Sequence, residues 1–156
     1  MARFLFPVFA AILFLMIIFW GHRYGASVEG LKKVEVSVAD NVFYADVVTT
    51  SFKQMKGLSG RERLGDNEAM LFVFRKPSLR VFWMKGMKIP IDIIWIKENI
   101  IIGITENVFP EPGVSYLKLK RYPSPSAADM VLEVGAGAAK KMNINVGDSV
   151  SVKSGK

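Results

Sequence analysis

From residue 34 onward the chain alternates apolar and polar positions. Val34, Val36 and Val38 are separated by Glu35 and Ser37, the two-residue period of a strand with one buried face. Asp40-Asn41 reads as a two-residue turn and residues 42–48 return as a second strand, which predicts a hairpin. Residues 51–64 are mixed and charged, with Ser51 placed as a helix cap and Gly57 and Gly60 ending the helix early. Apolar runs at 70–74 and 79–84 predict two short strands, parted by a turn at Arg75-Lys76-Pro77-Ser78. Residues 91–97 and 100–105 are rich in β-branched side chains and flank Glu98-Asn99, a second hairpin. Pro110-Glu111-Pro112-Gly113 opens a loop, after which residues 116–122 alternate as an edge strand. A strand at 130–134, a short helix at 136–142 and a last strand at 148–153 complete the pattern. Many short strands with only small helices predict a mainly β fold, a compact antiparallel sandwich or barrel.

The amino terminus follows a different rule. Phe4 to Trp20 is an uncharged run between Arg3 and Arg23, long enough for roughly 25 Å of helix against a hydrocarbon core of about 30 Å. Trp20 and Tyr24 suit one membrane interface, and the two arginines suit its ends. A cleavable signal peptide competes with this reading, but Tyr24 and Arg23 fall where small residues are wanted before a cut near Gly25-Ala26-Ser27. The sequence therefore predicts a single-pass transmembrane or signal-anchor helix ahead of the β domain. The segments are an anchor or signal at 1–24, a linker at 25–33 and a β-rich domain at 34–153. Basic residues flank both ends of the run, so charge does not orient it; likeness to an amino-terminal signal-anchor places the domain outside the cytoplasm.

Composition narrows the chemistry. The 156 residues hold 21 Lys+Arg, 14 Asp+Glu, one His and no Cys. Disulfides, thiol nucleophiles, Cys-ligated metals and multi-His sites are excluded, and neither a cofactor nor a metal is called for. Beyond residue 28 the net charge is +5, spread out apart from Lys118-Leu119-Lys120-Arg121 and Lys140-Lys141. No basic stripe with interleaved aromatics marks the sequence, so a nucleic-acid partner is not expected, and anionic lipid or wall polymer suits the excess better.

Three constellations invite a chemical reading. Val131 to Ala139 has a strand, a Gly135-x-Gly137 turn and a helix, the opening of a phosphate-binding fingerprint, but Lys140 occupies the third glycine position and no βαβ unit can follow. Met84 and Met87 flank Lys85-Gly86 beside Trp83, two thioethers that suit Cu(I) and make an incomplete ligand set. Asp92 and Glu133 are each embedded in an apolar run, where an unpaired charge is costly. They are candidates for a pair of catalytic carboxylates, and Asp92 equally for a buried ion pair with Arg61 or Lys85.

The blocks Gly57-Leu58-Ser59-Gly60-Arg61, Ala69 to Phe74, Phe82-Trp83-Met84-Lys85 and Ile89 to Ile93 together resemble the domain-of-unknown-function 192 family. Asn107, Pro110, Val131 to Val134, Gly137 and Gly147-Asp148 extend the likeness over about residues 34–152. The family often has Gly at Ala69, and Asn-Thr at Gly86-Met87. The resemblance implies a compact β-rich domain of prokaryotes, often behind an export or anchor segment, and no particular activity.

These readings combine into one expectation: a membrane-anchored β domain, held by residues 4–20, that binds without catalysis at Arg61, Trp83, Lys85 and Asp92. Trp83 offers a stacking face, Arg61 and Lys85 offer donors, and Asp92 orients Arg61 or accepts from a ligand. An envelope saccharide or an anionic metabolite fits that chemistry. The rivals are an envelope hydrolase or lyase using Asp92 and Glu133, and a scaffold that joins a protein partner in an envelope complex.

Overall fold

The structure is a computed structural model and describes residues 31–154. Strands β1 (Lys33–Val38) and β2 (Asn41–Val48) form the first hairpin, antiparallel, with Val38 opposite Asn41. The turn is thus Ala39-Asp40, one residue before the predicted one, and Ala39 takes the left-handed φ of 49° that such turns favour. Thr50, not Ser51, caps helix α1 (Ser51–Lys56), and the Thr50 hydroxyl accepts from the Lys53 N–H at 3.4 Å.

Strand β3 (Glu68–Ser78) runs on through Arg75-Lys76-Pro77-Ser78, the predicted turn, and absorbs the proline at a register shift between Val73 and Ser78. Next come β4 (Val81–Phe82), β5 (Ile91–Lys97) and β6 (Ile100–Val108). The β5–β6 hairpin turns at Glu98-Asn99 as predicted, both with positive φ. Where an edge strand was expected, the chain makes a 3-10 turn at Tyr116–Lys118. Of residues 116–121 only Leu119 is buried, so no strand face forms there. β7 (Tyr122–Pro123), β8 (Ala128–Gly135), α2 (Ala138–Lys141) and β9 (Val150–Ser154) complete the described residues.

The domain is mainly β. Among the described residues, seven strands make one sheet in the order β6-β5-β8-β3-β2-β1-β9, and β4 pairs only with β7. All neighbours in the large sheet run antiparallel except β2 and β3, whose parallel pairing requires the crossover that α1 and the following loop supply. The sheet curls into a half-barrel. Its two outer strands meet at one corner, where the Val150 N–H donates to the Asn99 carbonyl at 2.8 Å and Ile100 bridges Ser149.

Two cores follow from the alternation. The inner one draws Val36, Phe43, Leu71, Ile94, Ile101, Leu132 and Val150 from all seven strands, as a curled sheet demands. The outer one, around Met70, Phe72, Met84, Ile93, Trp95 and Val131, is roofed by Leu58, β4 and the loop through Met87 and Ile89. β5 contributes to both, so six of its seven residues are buried. The predicted anchor at residues 4–20 lies outside the described residues; among the latter, no helix is long and apolar enough to cross a membrane.

Candidate functional site

A cavity of about 280 Å³ opens on the outer core, between α1, β4 and β8. Its apolar walls include Leu58, Phe72, Phe74, Phe82, Trp83 and Met87. Phe82 stands edge-on between Phe72 (4.9 Å between centroids) and Trp95 (5.4 Å), which fixes the aromatic wall. Gly57 ends α1 with φ 47°, and a β-carbon there would lie 3.3 Å from the Phe72 ring. Glycine therefore lets the helix end close against the wall.

Glu133, 5% exposed, also lines the cavity. Its cross-strand neighbours are Met70 on β3 and Ile93 on β5, both core residues, and its Oε2 is buried without a hydrogen-bond partner among the described residues. Burial pushes the carboxyl up to about 8. At neutral pH it is therefore mainly the acid, a neutral carboxyl within the lining of a largely apolar cavity. Three cations, Lys56, Arg80 and Lys85, complete the lining. Arg80 lies 3.7 Å over the Phe74 ring and donates to the carbonyls of Lys76 and Ala128; burial lowers its pKa.

Of the predicted cluster, the structure brings Trp83 and Lys85 together at this cavity and leaves two members out. Arg61 pairs with Asp46 on β2, not with Asp92, and does not line the cavity. Asp92 belongs to the other face of the sheet. It is fully buried and accepts from the N–H groups of Asn107 at 2.8 Å and Ala139 at 3.0 Å. The reason is strand alternation: Ile93 and Glu133 face the outer core, whereas Asp92 sides with Ile94 and Val134. The same alternation separates Asp92 from Glu133, so these carboxylates cannot act on one bond.

Asp92 also accounts for the Gly135-x-Gly137 motif. Gly137 provides no side-chain cap to α2, and Asp92 reaches across from β5 to take the Ala139 N–H. An internal carboxylate thus occupies the place where a phosphate would sit. Met84 is buried in the outer core, and its neighbour Gly86 turns at φ 66° with its carbonyl accepting from the Gly60 N–H at 2.9 Å. Asn enters that left-handed conformation more readily than most residues, but any β-carbon at this position would meet the Ser59 hydroxyl, so this chain's glycine suits both the backbone and the space.

Sequence reading missed Asp46, although an acid inside a half-buried strand was the available signal. It also treated Trp83 as a lone stacking surface. Trp83 meets Tyr116 edge-on at 6.0 Å, and the Arg121 guanidinium lies 4.9 Å from Trp83 and 4.8 Å from Tyr116. That contact joins residues far apart in the chain.

The domain-of-unknown-function 192 model, described as uncharacterized ACR, matches residues 33–152. A crystal structure of a protein of unknown function from Novosphingobium aromaticivorans DSM 12444 is 33% identical, covers 81% of this chain and 89% of its own, and superposes with a TM-score of 0.73. A second, of a proposed transcription regulator from Sinorhizobium meliloti 1021, shares the fold at 23% identity and a TM-score of 0.71, over 78% of this chain and 95% of its own. No curated protein matches. The chain therefore belongs to the domain-of-unknown-function 192 family.

Proposed function

We propose that this protein is a non-catalytic binding module, held at a membrane by residues 4–20 with its domain outside the cytoplasm. Its ligand is a small organic anion with an aromatic or alkyl body. The observation that carries this reading is Glu133, a buried acid that lines a largely apolar cavity and has one oxygen without a hydrogen-bond partner among the described residues. A neutral carboxyl donates to a ligand oxygen, aromatic walls take the body, and Lys56, Arg80 and Lys85 favour negative charge. About 280 Å³ sits just under the usual span of roughly 300–1,000 Å³ for ligand pockets, so the fit is to a fragment-sized molecule. A saccharide suits the site less well, because most of its hydroxyls would face Phe, Leu and Met side chains.

Thermal-shift screening of the purified protein with phenyl- and alkyl-carboxylates, the matching amines, and monosaccharides tests the reading. Carboxylates are expected to stabilise, by about 2.7 kcal/mol at a hundred times the dissociation constant, and less so above pH 8 as Glu133 ionises. Glu133→Gln keeps a neutral donor, so it retains binding and loses that pH dependence. Stabilisation by amines or sugars instead, or carboxylate binding untouched by Trp83→Ala and Phe82→Ala, refutes it.

A further inference from the structure

Beside the cavity mouth, the loop after β6 carries a surface of a different kind. Lys85, Lys118, Lys120 and Arg121 are all exposed, and none of them forms an ion pair among the described residues. The Arg121 guanidinium is fixed against Trp83 and Tyr116 and donates to the Tyr116 carbonyl at 3.2 Å; the Lys85 ammonium lies 5.1 Å over the same tyrosine ring. Glu111, the acid in this loop, is engaged with the Lys120 N–H at 3.2 Å. At the tip of the 3-10 turn Leu117 is 89% exposed, while buried Leu119 pins the loop behind it.

We infer that this face docks on an anionic phospholipid surface. The combination is that of an interfacial element: an outward leucine to enter the acyl boundary, an aromatic pair at headgroup level, and cations for the phosphates. A nucleic acid uses the cations and rings but has no use for the leucine. The chain ahead of the domain argues for the same occupant. An apolar run at 4–20 anchored in a bilayer leaves residues 21–30 as tether, at most about 35 Å when extended. Such a tether keeps the whole domain near lipid at a high effective concentration.

Residues 31–156 contain both cores and every described strand, so they form a folding unit that can be tested apart from the apolar run. Flotation compares this domain on vesicles of phosphatidylcholine alone with vesicles of phosphatidylcholine and phosphatidylglycerol. Binding to the anionic vesicles is expected, with loss at raised salt. The double substitution Lys118→Glu, Lys120→Glu weakens it by about tenfold or more. Leu117→Ser weakens it too, and Lys140→Glu, Lys141→Glu, the same charge change on α2, leaves it intact. Three results overturn the inference: no flotation with anionic vesicles; an equal loss from the α2 variant; or displacement from vesicles by a single-stranded oligonucleotide whose binding ignores Leu117→Ser.

Discussion

Replacing Glu133 by glutamine should change how stability depends on pH. In the folded domain the carboxyl titrates near 8, against an ordinary value of 4.5 that it regains on unfolding. Between those values the folded state holds a proton that the unfolded state has released. The stabilisation is therefore complete below pH 4.5, declines as pH rises, and is lost once pH passes about 8. That difference is worth about 5 kcal/mol, a large fraction of what holds a domain of this size together. The amide introduced by Glu133→Gln cannot ionise, so the variant lacks this slope. Urea unfolding of both proteins from pH 4 to 9, with stabilities extrapolated to zero denaturant, provides the comparison. The variant should match the parent within about 1–2 kcal/mol at pH 4, and exceed it by several kcal/mol at pH 9. A constant difference across the range would mean that water or a partner satisfies Glu133 in the fold. The neutral donor in the cavity lining would then be lost with it.

Further consequences concern the residues that the structure places away from the cavity. Asp92→Asn leaves one of the two N–H groups, from Asn107 or Ala139, facing an amide donor, and should cost about 2–4 kcal/mol in urea unfolding without altering ligand binding. Arg61→Met strands Asp46, whose side chain is only 10% exposed, and should cost about 1–3 kcal/mol. Adding Asp46→Ala to that variant should recover part of the loss, read in a double-mutant cycle. Gly86→Val should destabilise the roof of the outer core, because its β-carbon would overlap the Ser59 hydroxyl at a φ that β-branched residues resist; loss of near-ultraviolet circular dichroism at a lowered melting temperature reports it.

Legibility in the sequence divided along physical lines. Local signals were faithful: alternation at Val34–Val38 and the Glu98-Asn99 turn fixed strands and a hairpin, because both depend on a few adjacent residues. Arg75-Lys76-Pro77-Ser78 misled, since a bulge lets a proline remain in β3 where composition alone suggests a turn. Apolar neighbours correctly marked Asp92 and Glu133 as buried acids. Which face each takes depends on strand register, and that is set by pairing with β3 and β8, tens of residues away. One position of difference in alternation is why Glu133 reaches the cavity and Asp92 caps a helix behind the sheet. The aromatic wall was equally hidden, because Phe72, Phe82 and Trp95 come from three strands whose adjacency no local pattern encodes.

The most direct test of the binding account is the titration of one carboxyl. Carbon-13 NMR of the Glu133 side chain, followed with pH in the presence and absence of a carboxylate ligand, reads both its protonation and its contact with the occupant. A midpoint near 8 is expected in the free protein, moving higher when the ligand accepts its proton in a hydrogen bond. A midpoint near 4.5, or one that ignores a ligand at saturation, would contradict it.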